Sequence, residues 1–174
     1  MEWNNRSAYL FVKARPDQVE SLWKKFQSWS HAIGAWVVTG EWDLLVWFDA
    51  PNPDAMRTRV AEVRQWDGVD HTASHFVHQG YKNGKYWWDA PTGVWMLSRE
   101  SGPLDGWKDM TAWDGQVSTA SIPGAWDSLS WVWGQDWNQT WTHVMDAKRK
   151  GWETQALVPV RSWWNQTTAK ALVG

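Results

Sequence analysis

Two aspartates stand at matching places in this 174-residue chain. Asp43 closes the stretch Thr39-Gly40-Glu41-Trp42-Asp43, and Asp127 closes Pro123-Gly124-Ala125-Trp126-Asp127. A short carboxylate beside a tight turn can accept backbone N–H groups of the turn. It can equally receive the amino group of a small ligand. Ser128 and Ser130 follow Asp127 and put hydroxyls on an otherwise apolar strand face, as a small-ligand pocket requires. The histidines suggest a metal, but their spacing argues against one. His71 and His75 share a strand face, and four strand residues span roughly 13 Å. Metal–nitrogen bonds are about 2 Å. His75 and His78 point to opposite faces, so these three are not expected to hold one ion. No Gly-rich phosphate loop, nucleophile elbow or paired-carboxylate motif is present. No catalytic residue and no metal ligand is therefore assigned.

These residues need a hairpin to position them. Ile33 to Thr39 and Trp42 to Asp49 read as two strands joined at Gly40, an antiparallel pair. The hairpin recurs at a constant spacing of 84 residues: Gly40 with Gly124, Trp42 with Trp126, Asp43 with Asp127, Leu45 with Leu129, Trp47 with Trp131. The same spacing pairs Trp23-Lys24 with Trp107-Lys108 and Trp29 with Trp113. A gapless run of identities at one spacing marks two copies of one unit.

Around the first hairpin, Ser7 to Ala14 reads as a strand. A helix starts at Pro16-Asp17, with Asp17 as cap and Glu20 completing a capping box. A second helix opens at Asn52-Pro53 and ends at Gly68. Asp70 to His78 is a fourth strand. The order β-α-β-β-α-β is the ferredoxin-like arrangement. The second copy repeats it: a strand over 93–98, a helix over 104–113, the hairpin over 116–133, a helix over 137–150 and a strand over 153–163. Pro159 restricts that last strand to an edge or a bulge. On the 137–150 helix, Trp137, Trp141, Val144, Met145 and Lys148 form one stripe, and His143 lies off it and is expected to be exposed. The expected organisation is 7–78 as unit 1, 79–91 as an aromatic-rich linker, 92–164 as unit 2 and 165–174 as a loose tail. Within the third strand, the set shared by both copies (Asp43, Leu45, Trp47) is expected under the helices. The altered set, Leu44 and Val46 against Ser128 and Ser130, is expected to face the opposing sheet or a cavity there.

Composition sets further bounds. A net charge of −2 gives no general attraction to nucleic acid or anionic membranes. With no Cys, disulfides and thiolate chemistry are excluded. Neither a signal-peptide core nor a membrane-length apolar run is found, so a cytoplasmic protein is expected. The 20 Trp residues either pack the units or line an aromatic cavity. Trp3, Trp87, Trp88, Trp163 and Trp164 lie near unit ends, where together they would form an apolar patch. A homo-oligomer would cover it.

The strand Ala8-Tyr9-Leu10-Phe11-Val12, the hairpin Val37-Val38-Thr39-Gly40-Glu41-Trp42-Asp43-Leu44-Leu45-Val46 and the helix before Gly68-Val69 resemble the ligand-binding domain of the leucine-responsive regulator/AsnC family. The resemblance spans about 7–78, and the second copy shares it through the repeat, with Pro123 in place of Thr39. It implies α+β units whose sheets pack as in dimeric α/β barrels, and a small effector, often an amino acid, near the Gly-x-x-Asp loop. Carried onto this chain, the ligand-binding set is Thr39, Gly40, Trp42, Asp43, Gly124, Trp126, Asp127, Ser128 and Ser130. No helix-turn-helix segment precedes Ser7, so direct DNA binding is not expected. The leading expectation is a non-catalytic module that binds an amino acid or aromatic metabolite and acts as a homo-oligomer without a cofactor. The alternatives are a self-assembling structural protein with Trp-rich interfaces, and a haem or aromatic-substrate enzyme, since chlorite dismutase-like proteins also fuse two such units.

Overall fold

The computed structural model describes residues 2–3, 6–82, 90–100 and 117–173. The expected helix over 104–113, its repeat partners Trp107, Lys108 and Trp113, and Tyr86, Trp87 and Trp88 of the linker lie outside the described residues. The chain forms two compact units. One comprises residues 5–77 and 159–172; the other comprises 78–158 with the first four and last two residues.

In the first unit the strands are β2 (Ser7–Ala14), β3 (Ala32–Val38), β4 (Leu44–Asp49), β5 (Val69–Phe76) and β11 (Pro159–Trp164). They form an antiparallel sheet in the order β11-β3-β4-β2-β5. Helices α1 (Val19–Ser28) and α2 (Pro53–Arg64) complete the β-α-β-β-α-β order. A short 3-10 turn, Pro16–Gln18, precedes α1, and no side chain caps either of them. Asp17 instead accepts from Gln18 Nε2 at 3.2 Å, so the expected capping box is not formed. The extra turn displaces the true helix start past Asp17. Asn52 caps α2 as expected, accepting from Ala55 N at 2.8 Å, with Pro53 in its first turn. Gly68 takes a left-handed φ of 92°, which ends the α2 segment and turns the chain into β5.

The second unit holds β1 (Glu2–Trp3), β6 (Gln79–Lys82), β7 (Val94–Arg99), β8 (Val117–Ser121), β9 (Ser128–Val132) and β10 (Glu153–Leu157). Their order is β1-β6-β8-β9-β7-β10, and α3 (Trp137–Arg149) follows β9. The fold class is α+β, two ferredoxin-like units in tandem, the class of the dimeric α/β-barrel proteins.

The strand expected over 153–163 divides at Pro159. β10 pairs with β7 in the second unit, whereas β11 pairs with β3 as an edge strand of the first, with a register shift between Pro159 and Arg161. A residue without an N–H cannot continue a central ladder, so the chain leaves one sheet and joins the other there. Residues 166–173 form a helix, α4, not a loose tail. Asn165 starts it, with its Oδ1 accepting from Thr168 N at 3.1 Å.

The faces of the sheets reverse the expectation. In the first unit the helix-covered core contains Ala8, Leu10, Val12, Leu44, Val46 and Phe48 with Leu22, Phe26, Val60 and Val63. Leu45 and Trp47 lie on the other face, where Tyr9 stacks on Trp47 with ring centroids 6.1 Å apart. Burial pushes the Tyr9 phenol well above its ordinary value. In the second unit Val94, Met96 and Val132 pack with Val144 and Ala147 of α3. Trp95 and Trp131 pair on the opposite face at 5.1 Å. The residues shared by the two copies thus mark the face away from the helices. Interlocked ring pairs fix residue identity there more tightly than aliphatic packing does beneath a helix.

The buried side of α3 also differs from the expected stripe. Thr140, His143, Val144 and Ala147 face inward, while Trp137, Trp141 and Met145 are 41%, 39% and 46% exposed. Apolarity alone misleads here because Thr140 is buried with its hydroxyl satisfied. It donates to Thr92 O at 2.9 Å and accepts from Gly134 N at 2.8 Å.

Candidate functional site

Asp43 sits at the start of β4, and its main chain is locked on both sides. Its N–H donates to Val12 O at 3.1 Å, and its carbonyl accepts from Val38 N at 3.0 Å. The carboxylate does not bond its own turn. Oδ2 accepts from Ala14 N at 2.9 Å, at the end of β2, and Lys13 Nζ lies 3.4 Å from Oδ1. Gly40 supplies the turn with φ of 113°, a value costly for any residue with a Cβ. Thr39 is exposed beside it. Trp42 is half-buried against Phe11 at 5.8 Å and His71 at 5.3 Å.

Asp127 repeats this arrangement. Its N–H donates to Ser98 O at 3.0 Å, its carbonyl accepts from Ile122 N at 2.9 Å, and Oδ2 accepts from Glu100 N at 2.7 Å. Val12 with Ser98, and Ala14 with Glu100, are therefore structural equivalents, 86 residues apart where the hairpins are 84 apart. The same spacing makes Lys13 the counterpart of Arg99. At that position the units part company. Arg99 donates to Ala125 O at 2.9 and 3.1 Å, pairs with Glu153 at 2.6 Å and covers the Trp126 ring at 4.8 Å. The exposed turn at Gly124 is thereby tied down.

Beside Asp43 the surface stays open. A depression of about 460 Å³ is lined by Lys13, Ala14, Arg15, Pro16, Val19, Asp43 and Asp70. Two cations and two carboxylates thus face one small volume. Arg15 is shared with Asp67 at 2.8 Å and Asp70 with His71 at 3.1 Å, both near solvent. Asp43 is three-quarters buried, and among the described residues its Oδ1 has only the long Lys13 contact. A positively charged ligand group can reach that oxygen.

The nine residues of the expected set do not converge. Asp43 lines the depression, with Thr39, Gly40 and Trp42 in the adjoining turn. Gly124, Trp126 and Asp127 form the corresponding turn of the second unit. Ser128 and Ser130 are fully buried on the helix-covered face, and Ser130 donates to Thr119 Oγ1 at 2.7 Å. Lys13, Arg15 and Asp70 were not singled out. They come from the end of β2 and the start of β5, which only the pairing of those strands brings together.

Residues 7–87 match the model of the Lrp/AsnC ligand binding domain. That match covers the first unit's turn and all of the depression. The family model matches once, over the first unit; the second unit corresponds to that unit through the repeat. Among solved structures, the siroheme decarboxylase NirDL aligns at 9% identity over 92% of this chain and 74% of its own, with a TM-score of 0.66. A heme-binding protein from Thermus thermophilus aligns at 13% identity over 98% and 96%, with a TM-score of 0.53. An anthrone oxidase-like protein aligns at 13% over 91% and 92%, with a TM-score of 0.51. At these identities the likeness is one of fold. No curated protein matches the sequence.

Proposed function

We propose that the first unit is a receptor for a small zwitterion, an α-amino acid, and that the chain is a non-catalytic sensing module. The observation that carries this reading is the mixed charge around the depression beside Asp43. Asp43 receives the ammonium group, with Asp70 near it, and Lys13 or Arg15 receives the carboxylate. Charge-assisted bonds in a half-buried site give both affinity and orientation. An uncharged aromatic metabolite would offer nothing to either charge of the depression, so it suits the site less well. A thermal-shift screen of the twenty amino acids tests the reading. Saturable stabilisation by at least one amino acid is expected, by mass action on the folded state. No shift for any of them would reject it.

The proposal includes a cytoplasmic homo-oligomer with no direct nucleic-acid contact. No helix among the described residues is long and apolar enough to cross a membrane. Support for self-association comes from α3, where Trp137 stacks on Trp141 at 6.1 Å and both are exposed with Met145. Contiguous apolar surface of this kind marks interaction sites. The patch expected at the unit ends draws less support, because Trp163 packs against the first unit's core. Light scattering should give a mass above the 20.2 kDa of one chain at micromolar concentration, and a monomer would contradict it.

A second reading, a tetrapyrrole-dependent enzyme, draws on the two solved structures whose names include siroheme and heme. His75 and His143 are 8% and 6% exposed, and neither lines the depression beside Asp43. The Phe11 ring lies edge-on to the His75 imidazole at 5.7 Å. A Soret band from native material would favour this reading over the sensor.

A further inference from the structure

The first unit's sheet ends at β5. Val77 N donates to Ser7 O at 2.9 Å, and Ala8 stands opposite Phe76 in the same register. In an antiparallel pair the main-chain groups of successive residues point alternately toward the neighbour and away from it. Those of Thr72, Ser74 and Phe76 therefore point away from β2, to the side where no strand follows among the described residues. Native proteins commonly blunt such an edge with Pro, Lys or a bulge. Thr72-Ala73-Ser74-His75-Phe76 has neither Pro nor Lys, and the irregular register lies at the far end, between Lys13 and Ala14. Beside this edge is a depression of about 650 Å³, lined by Asp54, Arg57, Thr58, Ala61 and Arg64 of α2 and by Ser74 of β5. The helix residues share one face. Small side chains stand in its middle and charges toward its ends. Arg64 Nε donates to Thr72 Oγ1 at 2.8 Å, which sets the end of α2 level with Thr72. Asp54 and Arg57 are 96% and 80% exposed, and they approach each other only to 4.0 Å.

We propose that β5 and this face of α2 form a twofold interface with a second copy of the chain. The proposal rests on the homo-oligomer reading and assigns it a surface other than the α3 tryptophans. A twofold axis through Ser74 pairs Thr72 with the partner's Phe76, so that the outward main-chain groups of both strands complete one antiparallel ladder. The helix fits the same axis. From Asp54 to Arg64 α2 rises about 15 Å, so its midpoint lies about 7.5 Å from Arg64. Thr72 to Ser74 spans about 7 Å of strand, which brings that midpoint level with Ser74. α2 packs on β5 and β2. With strands about 4.8 Å apart, a helix seated over those two has its twin about 10 Å away, the ordinary spacing of packed helices. Thr58 and Ala61 are small enough to allow that approach. The charges then match. Asp54 lies level with the partner's Arg64, and Arg64 with the partner's Asp54, while Arg57 lies level with the partner's Ala61. Opposed charges at both ends fix the register, and the partner fills the depression.

The test is sedimentation equilibrium of the full chain at micromolar concentration, on wild type, on Asp54→Arg, on Arg64→Glu and on an equal mixture of the two variants. Each variant sets like charges against each other at both ends of the interface and should associate at least tenfold more weakly than wild type. The mixture should recover wild-type association, because one copy of each variant again places opposite charges at both ends. Unchanged association of the single variants would overturn the proposal, and so would a mixture that associates no better than its components. The register has its own readout, since the chain contains no Cys. A short thiol-bridging reagent should join two copies of Ser74→Cys and should not join two copies of Thr72→Cys, which the pairing sets about 13 Å apart. The reverse result would overturn the pairing. The double variant Trp137→Ser, Trp141→Ser separates this surface from α3. Association that is lost there but kept in Asp54→Arg would retain the homo-oligomer and reject the β5 edge. A wild-type monomer would reject both.

Discussion

Leu44→Ser should destabilise the protein by about 3–5 kcal/mol, measured by urea unfolding followed through far-UV circular dichroism. The substitution places in the first unit the residue that the second unit carries at Ser128. Leu44 is fully buried in the core that contains Leu22 and Phe26. Truncation there removes apolar contacts and leaves a void, and the new hydroxyl adds the cost of an unsatisfied polar group. A cost below about 1 kcal/mol would mean that the face beneath the helices tolerates polar groups in general.

Asp43→Asn carries the second large effect, and it acts on two quantities at once. The carboxylate holds Ala14 N at 2.9 Å and pairs with Lys13, so the neutral amide should weaken the brace between β4 and β2. Bonds to charged groups are worth about 1.5–3 kcal/mol; because Asn retains an acceptor oxygen, about 1 kcal/mol of stability should be lost. If Asp43 also receives a ligand ammonium group, amino-acid stabilisation should vanish as well. The parallel change Asp127→Asn supplies the control. It weakens the equivalent bond to Glu100 N in a turn that Arg99 holds through Ala125 O. It should reduce stability by a similar amount and leave amino-acid binding intact. Binding that survives Asp43→Asn would keep a sensor but move its site elsewhere.

The elements and the site were not equally legible in the sequence. The hairpin, the Asn52 cap and the tandem order could be read because turn glycines, capping side chains and strand alternation act locally. The exchange of β11 into the first sheet could not, although Pro159 marked the point. A missing N–H states where a ladder must end, not which sheet accepts the strand next. The face assignment failed for a related reason. Alternation separates Leu44 and Val46 from Leu45 and Trp47, but both sets are apolar, and sharing between copies tracked ring packing and not helix cover. Asp43 was legible as a candidate because its turn recurs at Asp127. Lys13, Arg15 and Asp70 were not, since a pairing between β2 and β5 brings them to it. The one available signal was the replacement of Lys13 by Arg99 in the second copy, and it gains meaning only once Arg99 is seen closing its turn.

At the centre of the proposed function is a zwitterion held between Asp43 and the cations Lys13 and Arg15. Calorimetric titration of wild-type protein with the best-binding amino acid, its N-acetyl derivative and its carboxamide tests this most directly. N-acetylation removes the charge meant for Asp43, and amidation removes the charge meant for Lys13 or Arg15. Each derivative should bind at least tenfold more weakly than the parent, a loss of about 1.4 kcal/mol or more. An N-acetyl derivative that binds as tightly as the free amino acid would contradict the zwitterion site.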